Sequence, residues 1–177
     1  MPFTPFHMGP GILIKAVLQG SFSLIVFGWS QIVMDLQPLF AILTGRGEYH
    51  GFTHTYVGAT LIGAFSTLTG KYLAGLALVR VLGKHRRDIA VTWWVAGLSA
   101  FIGTYSHIVL DSIVHADMQP LYPFSPSNHL LHLLSWGSAH KVCVVAGIVG
   151  AAIYFAAVLL RSSRRRAIAR DAVDQRR

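Results

Sequence analysis

Three long apolar segments restrict most strongly what this chain can fold into. They span residues 55–79, 89–114 and 139–160. Their ionised residues are limited to Lys71 in the first segment, Asp111 in the second and Lys141 in the third. Crossing roughly 30 Å of hydrocarbon takes about 20 apolar residues in a helix. Because helices that are apolar on every face have no side to present to water, the three segments predict transmembrane helices.

The overall composition supports a membrane protein. Only 12% of the 177 residues are charged and 53% are hydrophobic, whereas an ordinary soluble domain has roughly 25% charged residues. The same values exclude a disordered chain, which is poor in apolar residues and rich in charge. The single cysteine, Cys143, excludes an internal disulfide and a cysteine-rich zinc site. Histidine is unusually frequent, with nine residues against seven acids.

The N-terminal apolar run, Gly11–Met34, is compatible with two structures. It could form a fourth span, or it could fold back at residues 19–21, which have a turn-like sequence. A straight helix would put His7 and Asp35 about 40 Å apart, on opposite faces of the membrane. A hairpin of two short helices returns both residues to one level, and we favour it. The predicted fold is an all-α integral membrane bundle with three full transmembrane helices plus this hairpin or a fourth span.

Positive charge is concentrated on one side of the predicted spans. The connection 80–88 has four Lys or Arg residues and the tail 161–177 has seven. The connections 35–54 and 115–138 have Arg46 alone. Because short cytoplasmic loops hold the Lys and Arg excess, we expect a multi-pass membrane protein whose C-terminus is cytoplasmic.

The same charge pattern divides the chain into two parts. Residues 1–160 are predicted to form a membrane-embedded domain, and residues 161–177 a basic, flexible cytoplasmic tail. The lipid bilayer is the expected partner of the domain, and the arginines of the tail suit anionic lipid headgroups. Since topology and lipid already account for the charge of the tail, we do not expect nucleic acid as a partner.

Ionisable residues mark the opposite, extracytoplasmic side. His107, Asp111 and His115 follow one another at intervals of four near the end of the second long segment. This spacing keeps them on one face of a helix. Acids and histidines within membrane helices are costly and by default mark function. The stripe therefore predicts a functional site at that end of the helix.

Further histidines and acids gather at the same level. The full set of candidates is His7, Asp35, His50, His54, His107, Asp111, His115 and Asp117. Imidazole and carboxylate donors without a thiolate suit a catalytic divalent metal, Zn²⁺ in the first place and Mn²⁺ or Fe as alternatives. Eight donors exceed the needs of one ion and suit two or more. We assign His7, Asp35, His50, His54, His107 and Asp111 to metal binding. His115 and Asp117 are assigned to catalysis, as a general acid or base, or as further ligands.

Two short motifs resemble a known family. Gly51-Phe52-Thr53-His54-Thr55 and Ser106-His107-Ile108-Val109-Leu110-Asp111 are similar to the signatures of the LexA-binding, inner-membrane-associated metal-dependent hydrolases, the YdjM-like family. The opening residues 2–7 and the element 35–38 are similar to bacterial members of it. The resemblance implies a metal site made of His7, Asp35, His54, His107 and Asp111. It also implies a hydrolase similar to all-helical, zinc-dependent phospholipase C-like enzymes.

The loop 115–138 contains three prolines and more than 20 residues, and a loop of that length is often functional. We predict that residues 130–136 form a short interfacial helix above the histidines, with Trp136 at the headgroup level.

These observations favour a membrane-embedded metal-dependent hydrolase that uses activated water on a phosphoester, either a small molecule or a lipid-derived substrate. A transporter or channel for metal ions or protons is the alternative, because the same cluster could serve as its entry site. A non-catalytic membrane scaffold is the third hypothesis. The transporter would need polar groups that continue to the cytoplasmic side, and that half of the spans offers only Lys71 and small residues.

Overall fold

The computed structural model describes residues 6–82 and 91–174. Within those ranges the regular structure is helical throughout. The helices are α1 (Met8–Leu18), α2 (Leu24–Met34), α3 (Leu36–Thr44), α4 (Tyr56–Leu82), α5 (Trp93–Val114) and α6 (Trp136–Asp174). Two 3-10 turns, Gln19–Ser21 and Phe52–His54, precede α2 and α4. The predicted all-α bundle is confirmed.

Four stretches of the described residues are long and apolar enough to cross a membrane. They are Leu24–Thr44, Tyr56–Arg80, Trp93–Val114 and Trp136–Arg166. The last three correspond to the three predicted spans. The basic residues Lys84, Arg86 and Arg87 of the predicted cytoplasmic connection lie outside the described residues.

The N-terminal run folds back, as the hairpin interpretation expects. Helix α1 ends at Leu18, the turn Gln19–Ser21 reverses the chain, and α2 returns. The ammonium of Lys15 donates to the carbonyl of Gln19 in this turn at 2.5 Å and to that of Phe22, the next residue after it, at 2.7 Å. The returning α2 continues almost directly into α3, and together they form the first of the four candidate spans. The run is therefore a hairpin whose second arm also belongs to a span.

Local sequence explains where several helices begin and end. Ser23 precedes α2 and Thr92 precedes α5, and their hydroxyl oxygens accept hydrogen bonds from the backbone N–H groups of Val26 and Val95. Such caps satisfy donors that a helix start leaves unpaired. Gly45 ends α3 with a φ of 65°, in the left-handed region that glycine adopts without strain.

Glycines allow close contact between helix pairs. A Cβ atom on Gly9 of α1 would overlap the backbone carbonyl of Cys143 on α6, and one on Gly150 of α6 would overlap the backbone of Leu13. Likewise, a Cβ on Gly103 of α5 would overlap the hydroxyl of Ser30 on α2. Helix α1 is thus held against α6, while α2 is held against α5.

The region after α5 differs from the prediction in one respect. Residues 130–135 form turns and bends instead of a short helix, and Trp136 begins α6. The backbone N–H of His132 donates to the Ile113 carbonyl at 3.0 Å, and the Asn128 amide donates to the Ser112 carbonyl at 2.9 Å. The loop is therefore tied to the end of α5 by bonds that a local helix would not make. Helix α6 continues past residue 160 to Asp174, and the flexibility of the tail stays a prediction.

Candidate metal centre

The end of α5 brings together histidines and acids from four parts of the chain. We call five of them the inner group: His7, Asp35, His54, His107 and Asp111. His7 directly precedes α1, Asp35 joins α2 to α3, and His54 ends the 3-10 turn before α4. The other two are one turn apart on α5. The hairpin is what allows His7 and Asp35 to reach the same place.

Asp111 is at the centre of the inner group. Its Oδ1 lies 3.3 Å from Nε2 of His7, and its Oδ2 lies 3.1 Å from Nε2 of His107 and 3.7 Å from Nε2 of His54. Oδ1 of Asp35 lies 3.4 Å from the same nitrogen of His107. Three imidazoles therefore direct Nε2 toward one carboxylate, and a second carboxylate approaches from the hairpin.

Two of these nitrogens are buried without a hydrogen bond. His54 and His107 are 0% exposed, and Nε2 of each lacks a hydrogen-bond partner among the described residues. An unsatisfied buried polar atom costs about 1–3 kcal/mol, and buried polar groups of native proteins are nearly always satisfied. Lone pairs that converge in this way are suited to a cation.

Gln31 of α2 fixes the protonation pattern of His107. Its Nε2 donates to the Gly103 carbonyl at 3.0 Å, which means that its Oε1 is the atom 2.6 Å from Nδ1 of His107. Because an amide oxygen can only accept, the proton of the imidazole is on Nδ1. Nε2 is therefore the nitrogen of His107 that faces the two carboxylates, and it can bind a cation when it carries no proton.

A second chain of hydrogen bonds fixes His54. Oε1 of Gln37 accepts from the backbone N–H of Thr53 at 3.1 Å and from its hydroxyl at 2.5 Å. Since the Thr53 hydroxyl has given its only proton to Gln37, it accepts from Nδ1 of His54, 3.0 Å away. Burial lowers the pKa of His54 to about 3, so the ring is neutral at neutral pH. Neutral imidazole with a bare Nε2 is the form that binds a metal.

A glycine makes room for this arrangement. A Cβ atom on Gly51 would overlap Nε2 of Gln37, the side chain that orients Thr53. Gly51 is the first residue of the motif Gly51–Thr55. Its role there is steric, whereas the role of His54 in the same motif is that of a candidate ligand.

Three further residues form what we call the outer group: His50, His115 and Asp117. Nδ1 of His50 lies 2.7 Å from Oδ2 of Asp117, and the rings of His50 and His115 are 4.4 Å apart between centroids. Nε2 of His115 lies 3.9 Å from Oδ1 of Asp111, which links the two groups. Burial opposes ionisation of Asp117, but the hydrogen bond from His50, the charge of His50 and His115 and a backbone hydrogen bond together outweigh it and lower the pKa of that carboxyl.

The structure thus brings together all eight residues that the sequence singles out, although their roles as ligands or catalytic groups stay predictions. Four sets of three offer ligand atoms within 4.8 Å of one another. These are His7, His107 and Asp111; Asp35, His54 and His107; His50, His54 and Asp111; and His50, His115 and Asp117. His129, His132 and His140 belong to none of them. Nδ1 of His140 is 2.8 Å from the Trp136 carbonyl of its own helix.

Sequence reasoning finds the eight candidate ligands but misses Gln31 and Gln37, the side chains that orient His107 and Thr53. Two hydroxyls next to ligands on α5 have no such role. Ser106 donates to the Gly103 carbonyl of its own helix, and the buried Ser112 hydroxyl has no hydrogen-bond partner among the described residues. A neutral amide in an apolar helix was the only available signal for Gln31, and it does not distinguish a buried partner from a surface residue.

Comparison with known proteins gives one positive result. The sequence model of the YdjM inner membrane protein family matches residues 14–170, a range that includes every residue of the two groups except His7. No curated protein and no solved structure matches the chain. The match and the four candidate spans agree on a multi-pass inner-membrane protein. The chain belongs to the YdjM inner membrane protein family.

Proposed function

We propose that this protein is a metal-dependent hydrolase that cleaves phosphoesters with water at the inner group. The observation that supports this most directly is the pair of buried Nε2 atoms on His54 and His107, which converge on Asp111 and have no hydrogen-bond partner in the described part of the chain. Hydrogen bonds to Nδ1 keep both rings in the metal-binding tautomer, an arrangement typical of metal-ligating histidines.

The donor set fits a divalent cation. Imidazole nitrogens and carboxylate oxygens are the usual ligands of catalytic Zn²⁺, and Mn²⁺ or Fe would accept the same set. His54, His107 and Asp111 would hold the ion, with His7 and Asp35 supplied by the hairpin. A bound divalent cation would lower the pKa of water and neutralise charge that develops on a phosphoester.

The residues beside the inner group suit proton transfer. Nε2 of His115 lies 3.9 Å from Oδ1 of Asp111, and its side chain is 14% exposed. Burial lowers the pKa of His115, so the ring is neutral at neutral pH and able to accept a proton while it holds no cation. Asp117 is the more exposed neighbour, and through it His50 could exchange protons with solvent.

A lipid-derived substrate is favoured by the surroundings. Tyr49, Phe52 and Tyr122 lie near the outer group and are each about half exposed, at 53%, 48% and 50%. Exposed aromatic rings next to membrane helices are typical of the interface between lipid and water. We place the centre on the extracytoplasmic side because the basic connection 80–88 and the basic tail 161–177 lie at the opposite ends of the spans. The tail would then lie beside anionic lipid headgroups.

The orientation has its own test. In cells with cysteine introduced at Asn128 or Ser163, after replacement of Cys143 by alanine, an impermeant thiol reagent should label Asn128→Cys from outside. Labelling of Ser163→Cys alone would contradict the orientation.

The hydrolase is tested by metal content together with activity. The purified protein should contain stoichiometric metal and hydrolyse a member of a panel of phosphoesters. The double variant His107→Ala/Asp111→Ala should lose both. His129→Ala, outside the two groups, is the matched control and should keep both. Unchanged metal content in the double variant would reject the site, and metal without hydrolysis of any panel member would reject the reaction.

The transporter hypothesis is less well supported, because it needs ion ligands between the metal centre and the cytoplasmic ends of the spans. The buried hydroxyls of Ser30, Ser99 and Thr104 each donate to a carbonyl of their own helix, namely Phe27, Val95 and Phe101. They therefore satisfy local bonds and do not form a line of ion ligands. Flux of Zn²⁺ or protons into proteoliposomes would favour the transporter.

A further inference from the structure

A cavity of about 550 Å³ opens beside the outer group and away from the inner one. His50 and Asp117 form part of its wall, together with Glu48 and the aromatic rings of Tyr49, Phe52 and Tyr122. None of the five inner residues lines it. A ligand that enters by this route therefore meets the outer group first.

The charge of this wall is of the wrong sign for an anion. Within the described part of the chain, the lining has the carboxyl groups of Glu48 and Asp117 and neither lysine nor arginine. Like charges repel over several ångströms, most strongly where water is partly excluded. A phosphoester would be disfavoured in this cavity unless a cation were bound there.

The outer group offers the ligands for such a cation. His50, His115 and Asp117 each provide one donor atom within 4.8 Å of the others. The His50 side chain is 7% exposed and that of Asp117 is 54% exposed, so the set lies between the protein interior and the cavity. Two imidazoles and a carboxylate match a site with three protein ligands and an open position.

We propose that His50, His115 and Asp117 form a second divalent-cation site at the floor of this cavity. It shares none of the five inner residues as ligands but adjoins them, since His50 lies beside His54 and His115 lies 3.9 Å from Asp111. A cation there reverses the sign of the local field and gives an anionic phosphoryl group a place to bind. The role in substrate binding rests on the proposed function, whereas the cation site does not.

The alternative is that His50 and Asp117 only pair with each other. The 2.7 Å between Nδ1 of His50 and Oδ2 of Asp117 is an ordinary hydrogen-bond distance and needs no cation to explain it. The two cases differ in metal stoichiometry. A plain pair binds no ion, and its loss leaves the metal content unchanged.

The first experiment titrates metal-free, detergent-purified protein with Zn²⁺ and measures bound metal after gel filtration. The wild type should bind two equivalents. Asp117→Asn and His50→Gln should each bind one, while Glu48→Gln, which changes the same cavity but not the cluster, should bind two. Circular dichroism and thermal unfolding identify any variant that fails to fold. A wild-type value of one equivalent, or two equivalents in both outer variants, would overturn the proposal.

The second experiment uses inorganic phosphate as the probe. Phosphate should bind the protein loaded with two equivalents of Zn²⁺, and Asp117→Asn with its remaining ion should bind it at least tenfold more weakly. Equal phosphate affinity in both proteins would overturn the role in anion binding. If two ions and phosphate bind but no phosphoester is hydrolysed, the proposed function fails while the cation site is upheld.

Discussion

The inner and outer groups contain the same types of residue, and they differ most in the exposure of one carboxylate, Asp117. In the inner group His54 and His107 are 0% exposed, and Gln31 and Thr53 hold their Nδ1 atoms. In the outer group His50 is held by Asp117, whose side chain is 54% exposed. Burial and fixed orientation, more than ligand type, would therefore distinguish an ion held firmly at the inner group from one at the outer group that exchanges with solvent.

The largest effect is expected where the two groups meet. Asp111→Asn removes the negative charge that four histidines approach, at 3.1–3.9 Å. Ions at both groups should therefore be lost. Elemental analysis of the purified, folded variant measures this, and a variant that retains one full equivalent would show that Asp111 serves a single group.

A smaller effect is expected from Gln31→Leu. Removing a partner of a ligating histidine typically weakens metal binding by about 10- to 100-fold, and only the inner ion should be affected. Absorption spectra of the Co²⁺-loaded protein would report the altered geometry.

Two further variants control for this result. Gln31→Glu retains an acceptor for Nδ1 of His107 and should recover part of the affinity. Ser66→Ala changes another fully buried residue, on α4, whose hydroxyl has no hydrogen-bond partner within residues 6–82 and 91–174, and it should leave the affinity unchanged. Equal affinities for Gln31→Leu and the wild type would show that Gln31 serves packing alone.

Chelation should separate the groups by rate. An ion held by the exposed Asp117 should leave quickly in excess EDTA, whereas an ion held by the inner group should leave only as fast as the buried site opens. Stopped-flow detection of released metal should show a fast and a slow phase in the wild type. The Asp117→Asn variant should show only the slow phase. A single phase in the wild type would contradict the difference in accessibility.

The smallest effect on metal is expected from Gly9→Ala. The new Cβ would overlap the Cys143 carbonyl, so α1 must shift on α6 and move His7, while the other inner ligands stay in place. We expect a loss of stability of about 1–3 kcal/mol and a modest loss of inner-ion affinity. Thermal unfolding in detergent measures the first and Zn²⁺ titration the second. Gly137→Ala, where a Cβ meets nothing within 4 Å, is the control.

The spans and the candidate ligands were predictable because each depends on a local property. Segment length and apolar content decide whether a helix can cross a bilayer, and an acid such as Asp111 between apolar residues is costly without a function. The turn at residues 19–21 was also visible in the sequence, and with it the return of Asp35 to the level of His7.

The remainder depends on contacts between distant segments. Gln31 and Gln37 matter because of bonds to His107 and Thr53, and nothing in their neighbouring sequence indicates those partners. The predicted helix over 130–136 was wrong for a similar reason. The backbone N–H of His132 bonds to the carbonyl of Ile113 on α5, a tertiary bond that replaces the local helical one.

The contact between α1 and α6 joins the earliest and the latest of the described helices in the chain. His7 directly precedes α1 and is synthesised first among the candidate ligands. Helix α6 is synthesised after all of them. If α1 is held in place mainly by α6, the inner group is complete only once the last span has entered the membrane and packed. Metal retention would then report that assembly of the bundle has finished, and a chain arrested before α6 should be unable to hold the ion.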